Sequence, residues 1–263
     1  MELNKIVQKM RKRWLKLWSL NDLEKYLEVR GAVSKNGNYK LAHRLVSNGT
    51  LVSIRKGMYL WNLDTKLDPE DFYWPLVKKV IAENYLWQGI ISWPKALALG
   101  LRDYSLLESL QVIVPKNPKI LSIQSEYKLV AITLLEQKRS LYSLVKQYAS
   151  RQKIEDTEFL ITSPEHALLE SLTTRPGQDI TDTSLILRWL KKNASSLREE
   201  VFAAFIPHRY ISATNRLKYL AHDNGMTDLY EMMIRLIDRY GKGCHLSRAF
   251  LQKNTKDKIQ KTK

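Results

Sequence analysis

Between Asn38 and Ser47 the apolar residues Leu41, Leu45 and Val46 fall on one side of a helix and Tyr39, Lys40, His43 and Arg44 on the other. That spacing predicts a short amphipathic helix with a basic, aromatic outer face. Asn48-Gly49 ends it. Two apolar runs follow, Leu51 to Ile54 and Met58 to Trp61, separated by Arg55-Lys56-Gly57. Gly57 can supply the positive φ of a three-residue hairpin loop, so the runs are expected to pair with two cations at the tip. Upstream, Ser19-Leu20-Asn21-Asp22 has the form of a capping box opening a helix that buries Leu20, Leu23, Tyr26 and Leu27. Ten residues containing Gly31 and Gly37 connect it to the Asn38 helix. Met1 to Trp18 reads as a further basic helix, with Ile6, Met10, Trp14 and Leu17 turned inward. Helix, connection, helix and hairpin in this order predict a winged helix-turn-helix over residues 1–66, whose second helix would enter the DNA major groove. The plainer reading is a small α+β unit whose cations only keep it in solution.

Asn62 to Lys66 reads as a linker, and Asp68-Pro69-Glu70-Asp71 as the start of a helix that opens a second domain. Trp74, Val77, Val80 and Ile81 give that helix its apolar stripe. Gly89 to Ser92 leads into a short helix from Trp93 to Leu99, ended by Gly100. Leu110 to Pro115 suits a buried strand, and residues 119–135 hold one or two more around ILSI and YKLVAITLL. Ser163-Pro164-Glu165 is a second helix start. Beyond Pro176-Gly177 the pattern is helical: Thr183 to Asn193, Ser196 to Phe205, Ser212 to Asn224 and Leu229 to Tyr240. The expected fold class is therefore α+β: a winged helix-turn-helix, then a mixed α/β domain (67–250) with a helical C-terminal part. Residues 251–263 read as a basic disordered tail.

Charge changes this picture more than composition does. The formal net charge is +16. Residues 1–66 hold 14 basic against 5 acidic side chains, residues 67–240 hold 22 against 21, and residues 241–263 hold 7 against 1. A neutral middle between basic ends is an electrostatic footprint for a polyanion, with nucleic acid the first choice. An anionic membrane surface is the weaker alternative, because the apolar face of residues 1–18 is thin. No run approaches the length of a membrane span, and the N-terminus has no apolar leader core. With Cys244 as the one cysteine, a reducing cytoplasmic setting is expected, without disulfides or a cysteine-based zinc site.

Catalytic signatures are missing from the chain: no phosphate-binding or dinucleotide glycine loop, no H-E-x-x-H and no G-x-S-x-G. Cys244-His245 has no partner acid beside it. Asp179 and Asp182 could form a metal-binding pair, but after Pro176-Gly177 they fit a turn and a helix cap more simply. No enzyme activity and no cofactor are expected. The expected role is binding, with Asn38, Tyr39, Lys40, His43, Arg44, Arg55 and Lys56 on double-stranded DNA. A nucleic-acid-processing enzyme and an RNA- or ribosome-associated protein are the readings left open.

Several short pieces stand in one order: Leu51 to Tyr59 (LVSIRKGMY), Ile91 to Leu97 (ISWPKAL) followed by Gly100-Leu101, Val112 to Pro115, Ser163 to Glu170 (SPEHALLE), and Asn215 to Leu220 (NRLKYL) before Gly225. In this order the chain resembles the AbiEi-type antitoxin family of type IV toxin-antitoxin systems, over residues 19–225. Trp93-Pro94 departs from the small or polar residues that family has there. The resemblance implies a repressor with an N-terminal winged helix that binds inverted repeats at its own promoter. It also implies that the protein counteracts a nucleotidyltransferase toxin encoded beside it, without a stable complex. A stand-alone DNA-binding regulator is the alternative role.

Overall fold

A computed structural model describes residues 17–19, 22, 35–55, 57–61, 69–85, 88–105, 109–116, 119–124, 129–136, 139–154, 157–173 and 183–240. The fold is mixed α+β, with two sheets. The smaller is antiparallel and contains β1 (Leu17–Ser19), β2 (Leu51–Arg55) and β3 (Met58–Trp61) in the order β1-β3-β2. Leu17 pairs with Leu60 and Trp18 with Tyr59, while Val52 faces Leu60 from the other side. Helix α1 (Lys35–Ser47) runs directly into this hairpin.

Two expectations change here. Leu17 and Trp18 belong to a strand, not to the end of a basic helix. An isolated two-stranded hairpin is marginal in water, and a third strand along β3 completes the ladder. Helix α1 also starts at Lys35, so Gly37 lies inside it and does not serve as a connector. A glycine in a helix interior costs about 1 kcal/mol relative to alanine, a penalty a 13-residue helix carries once one face is buried. The expected helices over residues 1–16 and 23–27, the linker at residues 62–66, Lys56, Asp179, Asp182, Cys244, His245 and the tail at residues 251–263 lie outside the described residues.

The larger sheet follows α2 (Pro69–Tyr85) and has the order β6-β7-β5-β4-β9-β8. Its strands are β4 (Ile90–Ile91), β5 (Ser109–Val114), β6 (Lys119–Gln124), β7 (Leu129–Glu136), β8 (Ser150–Ile154) and β9 (Thr157–Ile161). The β5–β7 and β4–β9 pairs are parallel, and the other three are antiparallel. In β5 the consecutive residues Val112, Ile113 and Val114 are all buried, as a central strand covered on both faces requires. In β9 the inward positions Thr157, Phe159 and Ile161 alternate with the more open Glu158 and Leu160.

Helices α3 (Lys95–Gly100), α4 (Arg139–Tyr148), α5 (Pro164–Ser171), α6 (Thr183–Asn193), α7 (Glu199–Phe205), α8 (Ile211–Asp223) and α9 (Thr227–Tyr240) complete the body. The expected helix from Trp93 starts instead at Lys95, after a cis Trp93-Pro94 bond. The one expected from Ser196 is divided: a 3-10 turn at Ala194–Ser196 precedes α7, because the Arg198 N–H is taken by the buried Glu165 carboxylate at 3.0 Å. Trp74 of α2 stands against Phe159 of β9 with ring centroids 5.3 Å apart. Phe202, Phe205, Leu217 and Met233 extend the same core through the helices, and Met58 of the small sheet joins it. Each such large side chain contributes about 1.5–3 kcal/mol through burial. An ion pair between Lys79 of α2 and Asp22 adds a polar tie between the N-terminal segment and the body.

Candidate nucleic-acid interface

Helix α1 divides into two faces. Ala42 and Leu45 are fully buried beneath it, whereas Lys40, His43 and Arg44 are exposed and Tyr39 is 46% exposed. The helix has no carboxylate of its own, and among the described residues neither Lys40 nor Arg44 forms a side-chain hydrogen bond or ion pair. Among the described residues, a polar link on this face joins His43 Nδ1 to Ser47 Oγ at 3.3 Å. At the C-terminal end the Asn48 N–H donates to Arg44 O at 3.0 Å, and Asn48 Oδ1 accepts from the Thr50 N–H at 3.1 Å. These bonds turn the chain from α1 straight into β2.

The hairpin is irregular where it should be. The register shifts between Ser53 and Arg55, and Gly57 adopts φ 82°, a left-handed conformation that a side chain would resist. Tyr59 on β3 is buried, and burial pushes its phenol above the ordinary value; neighbouring Tyr39 adds to the rise and a hydrogen bond from the Gly57 backbone opposes it. Tyr39, on the outer face of α1, therefore lies near Tyr59 of the β2–β3 hairpin. Of the residues expected on DNA, Tyr39, Lys40, His43 and Arg44 share this surface. Asn38 lies in α1 and Arg55 in β2, without a described side chain.

No protein-family model and no curated protein sequence matches the chain. Its fold is similar to that of a solved protein. In the crystal structure of the RV2827C protein from Mycobacterium tuberculosis, the match covers 93% of this chain and 82% of that one, with a TM-score of 0.57 at 15% identity. At that identity the likeness speaks for the fold and not for the role of any residue.

The body contains a polar cluster that reading the sequence missed. On α5, His166 and Glu170 are both fully buried and their side chains lie 3.7 Å apart. Thr162 Oγ1 is 2.8 Å from His166 Nδ1, and His166 Nε2 is 3.2 Å from the Tyr210 hydroxyl. Tyr210 donates its proton to Glu170, so its oxygen accepts from His166 Nε2–H, and Nδ1 accepts from Thr162. Phe205 covers the imidazole at a 4.6 Å centroid distance. With every member 3% exposed or less, no substrate reaches this cluster; its chemistry is that of a satisfied interior network. The His166–Glu170 spacing of four on one helix was its signal in the sequence. No group of three or more histidine, cysteine, aspartate or glutamate side chains arranged for a metal occurs among the described residues, and no described helix is long and apolar enough to cross a membrane.

A second cationic surface lies at the α3–α6 junction. Gly100 ends α3 against Trp189 of α6 so closely that an added Cβ would sit 2.6 Å from the indole Nε1. This approach sets residues 101–105 beside the outer face of α6, where Arg188, Lys191 and Lys192 are exposed. A cavity of about 410 Å³ between them is lined by Leu101, Asp103, Arg188, Lys191 and Lys192.

Proposed function

We propose that the protein is a duplex-DNA-binding transcriptional regulator whose N-terminal 66 residues form a winged helix-turn-helix. Residues 67–250 would form the body it carries, and 251–263 a basic tail. The observation that carries this reading is the outer face of α1, where Lys40, His43, Arg44 and Tyr39 are exposed with no carboxylate on the helix to neutralise them. The pairing of β1 with β3 supports it, because it ties the hairpin back to a segment that precedes α1. Lys40 and Arg44 would meet base edges or phosphates, with Asn38, Tyr39 and His43 beside them, and Arg55 and Lys56 would grip backbone through the wing. The ordered motifs from Leu51 to Gly225 support a narrower role: repressor and antitoxin of a type IV system, with a nucleotidyltransferase toxin as functional partner.

The test is fluorescence anisotropy on duplex DNA from upstream of the gene across a salt series. With about five phosphates neutralised, log K should fall against log salt with a slope of about −4 to −5. An affinity that does not change with salt refutes the interface. The antitoxin role is tested separately by expressing the neighbouring open reading frame with and without this protein; growth arrest that this chain fails to relieve rejects that role while leaving DNA binding intact.

A further inference from the structure

We propose that the α3–α6 junction is a second nucleic-acid site, built for a single strand, with Tyr104 as the platform for an unpaired base and Arg102, Arg188, Lys191 and Lys192 as its phosphate contacts. This site stands apart from α1 and does not rest on the duplex-binding reading. Arg188, Lys191 and Lys192 occupy positions i, i+3 and i+4 of α6, so they project from one helix face over the 410 Å³ cavity. That volume matches the size of ordinary small-molecule pockets and accommodates roughly one nucleotide.

Cations at a helix C-terminus also complement the helix dipole, so position alone would not point to a ligand. Three further observations do. Asp103, the one carboxylate among the described residues lining the cavity, is engaged by the Ser105 hydroxyl at 2.6 Å and the Ser105 N–H at 3.1 Å. Arg188 forms a long ion pair with it at 3.9 Å, whereas among the described residues Lys191 and Lys192 have no hydrogen-bond or ion-pair partner. Arg102 adopts φ 60° at the end of α3, where the Asp103 N–H closes back on Ala98 O at 2.9 Å. Glycine is the residue favoured at such a helix end, and an arginine there holds an exposed cation, against backbone strain, between the two loop residues that line the cavity. Tyr104, the residue after Asp103 on the loop that lines the cavity, is 45% exposed, one of three large apolar side chains left open among the described residues. Exposed aromatic rings combined with cations are how sequence-tolerant single-strand sites are made, since every base has a face to stack.

The experiment uses the full chain and fluorescein-labelled eight-nucleotide single strands, oligo-uridine and oligo-deoxythymidine, with an unlabelled duplex as competitor. Tyr104→Ala should weaken single-strand binding about tenfold. Lys191→Gln with Lys192→Gln should do the same and flatten the salt dependence by about one to two phosphate equivalents. Arg44→Ala should leave single-strand binding unchanged. All four substituted residues are exposed, and unchanged circular dichroism verifies each fold. A preference for the ribo- or the deoxy-strand assigns the source of the ligand. Single strands that fail to bind, bind Tyr104→Ala as well as wild type, or lose affinity equally in Arg44→Ala overturn the proposal.

Discussion

Replacing Lys95 with methionine tests how the loop carrying Tyr104 is held. Lys95 opens α3, is fully buried, and donates from Nζ to the carbonyls of Asp103 at 2.9 Å and Ser105 at 2.6 Å. The ammonium also lies 5.7 Å from the Trp74 ring centroid. Burial lowers its pKa from 10.5 to about 8, with the Asp103 carboxylate opposing the fall. Below pH 8 both folded and unfolded chains hold the proton, and the folded state bears the full cost of a buried charge. Between about 8 and 10.5 the unfolded chain binds more protons, so stability rises with pH; above that window the cost is gone. The cost is roughly 2–3 kcal/mol once screening by nearby solvent is allowed for.

Methionine keeps the length and the contact beneath Trp74 but removes both charge and donor. Urea unfolding of wild type and Lys95→Met at pH about 7.5 and about 9.5 should show wild type gaining roughly 2 kcal/mol relative to the variant. Other lysines and the tyrosines titrate in both chains and cancel in the comparison. Stabilities that change in parallel between the two pH values refute the assignment of a buried, depressed ammonium.

Other outcomes follow from single contacts. Gly100→Ala places a Cβ 2.6 Å from Trp189 Nε1 and should lower stability by about 1–3 kcal/mol, read as a fall in Tm. Tyr210→Phe removes the hydroxyl that bridges His166 and Glu170 and should cost about 1–3 kcal/mol in urea unfolding, with no loss of DNA affinity. Arg44→Ala should reduce discrimination between operator and random duplex by about 1–3 kcal/mol if its side chain reads guanine; equal loss on both makes it a phosphate contact.

Elements with strong local signals were legible in the sequence. Ser163-Pro164-Glu165 announced α5, and Ser163 Oγ accepts the His166 N–H at 3.3 Å; Thr183–Asn193 has the same limits in the structure as in the pattern. Elements made by distant pairing were not. Leu17 and Trp18 continue a helical spacing and become a strand only because β3 offers them an open edge. The β8–β9 pair escaped notice because SRQKI is mostly polar, as suits a strand at the edge of a sheet. For the interface, the outer face of α1 followed from periodicity. The cluster at residues 102–104 and 188–192 did not, because its two halves lie more than eighty positions apart and meet through Gly100 and Trp189.

The two-residue strand β4 has a consequence for how the body assembles. It is the seam of the large sheet: Ile90 pairs with Ile113 on one side and with Leu160 on the other. During synthesis the β6-β7-β5-β4 half can close from local pairings, but the far edge of β4 stays unsatisfied until β9 leaves the ribosome. For that interval a nascent chain presents a bare apolar margin, a template for mispairing with another chain. Slowing translation after β7 has left the ribosome and before β9 has done so should therefore raise the aggregated fraction without changing the stability of the chains that fold.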